Sequence, residues 1–334
     1  MPAPDAMSIH ERSATTTLAQ PQHAVAARAG RPLRGIVWSL LASTLFGVMF
    51  YVSGVIDASP EAVFAWRMVI TAACYAAALF GRSNRRALRG LVAALTASWW
   101  SPLVLVATSA LVGVQMWLFA WAPAHGYGLD ASLGYLLLPI VLVVIGRVGF
   151  RERVSKLQWI AVAVAAVAVG TNLVLTGAAS WVTFTVCIGY ALYFAIRRKS
   201  GLEGAAAFGA EVVLLVPVSI WFLFTTEGPT GSAALLAVIA AGVAGAAAMT
   251  AYLGASRALS MPVFGLLTYV EPILLFVVAM LLGEHLHESD AVVYLVLAAA
   301  LGLLAVDGFI SRRPSRCRVM TPRVRRWEDV PHAR

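Results

Sequence analysis

Residues 134–153 read GYLLLPIVLVVIGRVGFRER, and residues 265–285 read GLLTYVEPILLFVVAMLLGEH. In each stretch a glycine precedes a proline that lies within an apolar run, and a glutamate follows the run. The spacing from Pro139 to the glutamate is 13 residues, and from Pro272 it is 12 residues. An apolar run of about 20 residues is long enough to cross a bilayer as a helix. The two stretches therefore predict an internal repeat in a membrane protein.

Apolar segments of this length recur along the chain, and we expect ten of them to span the membrane. The two quoted stretches contain the fourth and ninth spans, so the repeat unit is five helices. Because five is odd, the two halves are expected to lie antiparallel across the membrane. The predicted fold is an all-α integral membrane protein, with ten transmembrane helices as two inverted five-helix repeats. The spans are predicted at 35–56, 61–80, 99–122, 129–149, 157–176, 180–197, 205–226, 232–254, 262–282 and 290–310.

The distribution of basic residues predicts the orientation. All 25 Lys and Arg residues fall within predicted spans or on one side of the membrane. Loops rich in Lys and Arg stay in the cytoplasm, so both termini are expected to be cytoplasmic. Glu152 lies in a basic connection, whereas Glu284 lies in a connection without Lys or Arg. The two equivalent glutamates are therefore expected on opposite sides of the membrane, as inverted halves require. The basic connections are 82–89, 151–156, 197–200 and the region of Arg257, and those without Lys or Arg are 57–61, 122–130, 176–180, 226–232 and 283–290.

The same reading divides the chain into four parts. Residues 1–34 have no apolar run and are expected to form a disordered cytoplasmic leader. Residues 35–176 and 180–310 form the first and second halves, and residues 311–334 form a basic cytoplasmic tail.

Composition excludes several classes of protein. Hydrophobic residues make up 60% of the chain and charged residues 12%, against about 45–50% and about 25% in ordinary globular proteins. The net charge of +9 lies in short connections and tails rather than on a folded surface, so nucleic-acid binding is not expected. The three cysteines, Cys74, Cys187 and Cys317, have no metal-ligand spacing and offer no disulfide framework.

The stretch DASLGYLLLPIVLVVIGRVGFRERVSKLQWIAV (130–162) resembles the RarD group of EamA-type permeases, in the drug/metabolite transporter superfamily. The matching features are the acid-Ala-Ser-Leu-Gly-Tyr run, the mid-helix proline, the Glu-Arg exit and the Gln-Trp opening of the next helix. Arg151 departs from the pattern, since the group usually has glycine there. The resemblance implies two inverted EamA repeats, a bacterial inner-membrane location, and export or exchange of small metabolites.

Charged side chains inside predicted spans are costly to insert, about 2.5–3.5 kcal/mol each. Arg67 lies about two turns into the second span, and is either a paired structural arginine or an anchor for an anion. Glu271 precedes Pro272 near the centre of the ninth span, where the proline leaves a backbone carbonyl unpaired. This acid is either buried and neutral, or it binds a proton or a cationic group and could pair with Arg67. Glu211 is expected to be interfacial.

Aromatic and amide side chains form a second set of candidates, because Tyr and Trp combine an apolar face with one hydrogen-bonding group. Tryptophans near span ends are more often interfacial anchors. The candidates for the substrate or proton pathway are Arg67, Gln115, Trp117, Tyr135, Pro139, Tyr193, Tyr252, Tyr269, Glu271 and Pro272.

These features predict a secondary transporter of a small organic metabolite or drug that works by alternating access, with protons as a candidate coupling ion. No GxxxxGK[ST] loop occurs, so ATP is not expected to drive it directly, and no cofactor or metal is implied. The expected partners are a small-molecule substrate and the lipid bilayer, with no nucleic acid, and the protein is a monomer or a homodimer. The alternatives are a membrane-embedded enzyme, disfavoured by the short loops, and a non-transporting sensor or assembly factor that uses the basic tail.

Overall fold

The computed structural model describes residues 23–151, 154–176, 180–202, 204–259, 263–264, 267–285, 294–300 and 302–303, with side chains from Leu33 onwards at most of these positions. Throughout these residues the regular secondary structure is helical, as predicted. Glu152, Arg153, residues 1–22 and residues 304–334 lie outside the described part of the chain. The helices are α1 (His23–Val55), α2 (Pro60–Ala78), α3 (Arg82–Thr96), α4 (Trp100–Ala124), α5 (Gly128–Gly149), α6 (Lys156–Thr176), α7 (Trp181–Ser200), α8 (Ala205–Thr225), α9 (Gly231–Ala258) and α10 (Val270–Leu281).

Six of these helices contain a segment long and apolar enough to cross a membrane, namely Leu33–Val55, Pro60–Ala78, Trp100–Ala124, Gly128–Gly149, Ala205–Thr225 and Gly231–Tyr252. Shorter apolar stretches occur in α6 and as α10. Each predicted span from the first to the ninth overlaps one helix, and residues 294–300 of the tenth are helical. Helix α1 begins at His23, ahead of Gly35 where the first span is predicted to begin, so residues 23–34 of the predicted leader are helical.

The basic connection predicted at 82–89 is helical in the structure, a feature that the sequence analysis did not predict. These residues open α3, which continues to Thr96. Arg, Ala and Leu all have high helix propensity. Leu88, Leu91 and Leu95 recur at helical spacing, and they pack in one apolar cluster with Leu202. Local propensity and this packing stabilise a helix that is not apolar enough to resemble a membrane span.

The ninth predicted span is interrupted before its centre. Residues 268–269 form a turn, and α10 begins at Val270. Pro272 therefore lies in the first turn of α10 rather than in the middle of a continuous helix. A proline is tolerated there because the backbone N–H that it lacks would have no partner within the helix. Glu271 lies in the same first turn, where the helix dipole favours a carboxylate.

Helices of the predicted first half pack mainly against helices of the second half. Helix α1 contacts α9 and α10, α2 contacts α8 and α9, α4 contacts α7 and α8, and α5 contacts α7 and α10. The largest buried cluster contains Phe50, Phe64 and Phe119 from the first half with Tyr190 and Phe208 from the second. The core is therefore shared between the halves.

Candidate functional site

Five side chains from five helices interact near the middle of the bundle. They are Arg67 on α2, Tyr135 on α5, Tyr190 on α7, Tyr252 on α9 and Glu271 on α10. The ring centroids of Tyr135 and Tyr190 lie 5.5 Å apart, and the two phenol groups interact electrostatically. Glu271 interacts electrostatically with all three tyrosines, and Arg67 with Tyr135 and Tyr190. We call these five residues the central cluster.

Arg67 is the positive end of the central cluster. Its side chain is only 3% exposed, and its guanidinium lies over the ring of Phe119, with Cζ 5.2 Å from the ring centroid. Its Nε and Nη1 atoms have no hydrogen-bond partner among the described residues. Arg67 and Glu271 are not within salt-bridge distance. A buried guanidinium with unused donors in a fixed planar fork is suited to bind a carboxylate.

The central cluster combines one carboxyl group, one guanidinium and three tyrosine hydroxyls. Tyr135, Tyr252 and Glu271 are only partly buried, whereas Arg67 is almost completely buried. Glu271 lies in the first turn of α10. The cluster therefore places an acid and tyrosine hydroxyls near the buried guanidinium of Arg67.

A second polar cluster lies between α7 and α8, and it corrects the expectation for Glu211. Glu211, expected to be interfacial, is 0% exposed and forms an ion pair with Arg197 at 2.7 Å. Arg197, where the predicted span 180–197 meets the basic connection 197–200, belongs to α7 and is 6% exposed. Tyr193 donates a hydrogen bond to Glu211 at 2.9 Å, and Arg197 donates to Tyr193. The pathway candidate Tyr193 thus belongs to this ion-pair cluster rather than to the central cluster.

Gln115 connects α4 to α7. Its Nε2 donates to the carbonyl of Thr185 at 2.9 Å, and the side chain is 1% exposed. A Cβ atom at Gly189 would collide with this amide, so glycine is needed there for the close approach of the two helices. Gln115 therefore stabilises the interface between α4 and α7. Among the described residues it forms no hydrogen bond with the central cluster.

Trp117 lies towards the end of α4 and donates to Glu61 Oε1 at 3.0 Å. It belongs to a set of aromatic rings around Trp121, which stacks on His125 with centroids 4.1 Å apart and also contacts Tyr127 and Trp181. This set lies where α4 ends and α5 and α7 begin. Trp117 thus lines one end of the bundle rather than its middle.

Two further candidates have packing roles in the structure. Tyr269 is the N-cap residue of α10 and packs against the apolar cluster that contains Leu136 and Leu297. Pro139 lies inside α5, as the sequence predicts, and is partly buried. Within the described part of the chain, neither residue forms a hydrogen bond with the central cluster.

Glu284 joins the end of α10 to the start of α5. Its Oε1 accepts from the N–H of Gly128 at 2.6 Å, and its Oε2 accepts from the N–H of Leu129 at 2.7 Å. A carboxylate at a helix N-terminus satisfies backbone donors that have no partner within the helix. Burial raises the pKa of the Glu284 carboxyl, as does the nearby charge of Asp130, while the two N–H donors lower it. Glu284 therefore connects the two predicted halves at one end of the bundle.

Comparison with known proteins identifies the group of transporters to which the chain is related, although no family model matches it. An uncharacterized transporter of Haemophilus influenzae is 38% identical over 285 residues, which cover 82% of this chain and 94% of the relative. An uncharacterized transporter of Pasteurella multocida is 34% identical, with 83% and 97% covered. The chloramphenicol-sensitive protein RarD of Pseudomonas aeruginosa is 34% identical, with 82% and 94% covered.

A crystal structure of another protein has a similar fold, with a TM-score of 0.52 and 20% sequence identity, covering 84% of this chain and 99% of that one. That similarity concerns the fold alone. The curated relatives align over nearly their whole length, so the relationship extends across the helical bundle. With its apolar helices and these relatives, the chain is a multi-pass membrane protein that belongs to the RarD family of transporters.

Proposed function

We propose that this protein is a secondary transporter that moves a small organic metabolite or drug across the bacterial inner membrane by alternating access. Ten spans in two inverted halves would surround one central site, with both termini in the cytoplasm. The observation that carries the proposal is the central cluster, in which Arg67 and Tyr135 of the first half interact with Tyr190, Tyr252 and Glu271 of the second.

Helix packing supports the inverted repeat. An inverted repeat pairs each helix of the first half with one of the second, here α1 with α7, α2 with α8, α4 with α9 and α5 with α10. When the two members of each pair are exchanged, the contact of α1 with α9 becomes that of α7 with α4. The contact of α1 with α10 likewise becomes that of α7 with α5, and the structure contains all four contacts. The contact of α2 with α9 becomes that of α8 with α4, while α2 with α8 and α5 with α10 map onto themselves. Each extensive contact between the halves among these eight helices thus has its counterpart, as a pseudo-twofold axis requires.

The chemistry of the central cluster supports a solute with an anionic group and an apolar or aromatic part. Arg67 would bind the anion through its unused donors, and the rings of Tyr135 and Tyr190 would contact the rest of the solute. Glu271 would carry a proton, because it is a partly buried acid in the first turn of α10, beside the break in the ninth span. Interrupted helices commonly form substrate and ion sites in transporters.

Comparison of exported metabolites tests this function. Bacteria that lack the gene would be complemented with the wild-type chain, with Arg67→Gln, or with Arg198→Gln, an exposed arginine on α7. We expect one or more compounds to accumulate outside cells with the wild-type and Arg198→Gln chains, and to stay inside cells with Arg67→Gln. Membrane levels of the three chains would be matched by immunoblotting.

Chloramphenicol is a suitable first probe, because the Pseudomonas aeruginosa relative is named for sensitivity to it. Its uptake would be measured in proteoliposomes with the same three chains. Equal export and uptake by Arg67→Gln and wild type would exclude the central cluster as the pathway.

A further inference from the structure

Helix α3 (Arg82–Thr96) has a basic face and an apolar face, and neither is needed for the proposed transport site. Its sequence, RSNRRALRGLVAALT, contains four arginines and no acidic residue. Arg82, Arg85, Arg86 and Arg89 follow the spacing i, i+3, i+4 and i+7, which places them on one side of a helix. All four side chains are exposed.

The opposite side of α3 is held against the bundle. Leu91 is buried, and Leu88 and Leu95 pack in the same apolar cluster as Leu202 and Ala207. The helix therefore lies across the end of the bundle, in contact with α8 and α4, and directs its arginines away from it. These arginines line a surface groove of about 530 Å³.

Among the described residues, no carboxylate neutralises the positive charge of this groove. The salt bridge in that part of the chain joins Arg197 to Glu211, so no described carboxylate lies within 4.0 Å of the α3 arginines. A cluster of four exposed guanidinium groups strongly attracts anions, and each group presents several donors to phosphate oxygens.

The residues that flank α3 place it at the level of the lipid headgroups. Phe80, just before the helix, is 87% exposed. Trp99 and Trp100, just after it, are 70% and 56% exposed, and their ring centroids lie 3.8 Å apart. Exposed aromatic residues, and tryptophans above all, concentrate at the membrane–water interface. With such residues at both ends, α3 extends along the membrane surface rather than into water.

We propose that the arginine face of α3 is a binding surface for anionic phospholipid headgroups in the cytoplasmic leaflet. Arg82, Arg85, Arg86 and Arg89 would bind the phosphate groups, while the leucine face anchors the helix to α4 and α8. An amphipathic basic helix at the interface is suited to this partner. The surface lies outside the central cluster, so it serves to seat the protein in charged membrane regions whether or not the transport mechanism is correct.

Native mass spectrometry tests the proposal on the purified full-length chain. The protein would be incubated with equal amounts of phosphatidylglycerol and phosphatidylcholine, and the bound lipids would be counted. We expect wild type to retain phosphatidylglycerol preferentially. The variant R85Q/R86Q/R89Q should lose this preference by about fivefold for each arginine removed, since each contributes about 1 kcal/mol near a charged surface.

Two further variants separate lipid binding from general effects. R85K/R86K/R89K keeps the charge and should keep most of the preference. R151Q/K156Q/K199Q removes three exposed charges elsewhere on the predicted cytoplasmic side and should match wild type. Thermal unfolding of all four proteins shows whether each is folded.

Three results would overturn the proposal. One is an unchanged lipid preference in folded R85Q/R86Q/R89Q. A second is an equal loss in R151Q/K156Q/K199Q, which would show that net charge alone is responsible. A third is displacement of phosphatidylglycerol by 10 mM inorganic phosphate, a rough working concentration, which would identify free phosphate as the preferred ligand.

Discussion

Arg197 Nη1 lies 2.7 Å from Glu211 Oε2, and the two side chains form a buried ion pair between α7 and α8. Arg197 also donates to the carbonyl of Gly204 at 3.0 Å, where the connection to α8 ends. Ser109 of α4 donates to the backbone carbonyl of Glu211 at 2.8 Å. The pair therefore holds the α7–α8 hairpin in one geometry and joins it to a helix of the first half.

Arg197→Ala leaves Glu211 buried without its cation, so we expect a loss of about 3–5 kcal/mol in the free energy of unfolding. Thermal unfolding in detergent, followed by tryptophan fluorescence, measures the effect. Lys199→Ala removes an exposed cation from the same turn and should change the melting temperature little. The double variant Arg197→Met/Glu211→Leu should recover much of the loss, because it leaves no buried charge. Equal melting temperatures for the two single variants would contradict this account.

Gly128→Ala should break the contact between α10 and α5. A Cβ at position 128 would lie 2.6 Å from Glu284 Oε1 and 3.0 Å from Ala279 Cβ, so the carboxylate must leave its two N–H donors. We expect a loss of about 1–3 kcal/mol in the free energy of unfolding, the usual range for overpacking. The control is Gly170→Ala in α6, where nothing lies within 4 Å of the new Cβ. That change should be neutral or stabilising, as alanine is the better helix former.

Stability should depend on pH through Glu284. Its pKa is raised by burial above the ordinary value of about 4.3. Between the ordinary and the raised values the folded protein binds more protons than the unfolded chain, so the free energy of unfolding falls as pH rises through this interval. Glu284→Gln cannot titrate and should lack this component. The melting temperature of wild type minus that of Glu284→Gln should therefore decrease from below the interval to above it. A difference that grows with pH would show that the N–H donors outweigh burial.

Glu271→Gln should abolish the stimulation of transport by a pH gradient and leave downhill exchange of the substrate intact. The amide is similar in size to the carboxyl group but cannot take up and release a proton. Proteoliposomes loaded with the transported compound, with and without an imposed pH gradient, measure both activities. Glu227→Gln, in an exposed connection, is the matched control. Full gradient-driven transport by Glu271→Gln would exclude this residue as the proton carrier.

Hydropathy predicted the helices well where an apolar segment is long enough to cross a bilayer, as in α4 and α5. It failed at α3, because an arginine-rich segment of 15 residues has the composition of a connection and becomes a helix through packing of its leucines. It placed Arg197 both at the end of the span 180–197 and in the basic connection 197–200, because Arg198 and Lys199 follow it in sequence. Successive residues of a helix point in different directions, so Arg197 faces Glu211 while its two neighbours are exposed.

The sequence also predicted the residue types of the candidate site better than their arrangement. The sequence identified Arg67, Tyr135, Tyr252 and Glu271 as pathway candidates, since charged and hydroxyl groups within apolar spans require a partner or a function. It did not separate them from Gln115 and Tyr193, which also place a polar side chain within an apolar span. Only contacts between helices distinguish the groups, because they bring the first four together with Tyr190 and place the other two elsewhere.

Apolar length and the distribution of charge along the chain are enough to predict a membrane protein, because a bilayer selects these local properties directly. Which polar groups come together depends instead on the packing of distant helices. Arg67 and Glu271 are about 200 residues apart in the chain, yet both interact electrostatically with the tyrosine pair. Their meeting depends on how the helices of the two halves pack against each other, and no local pattern specifies that geometry.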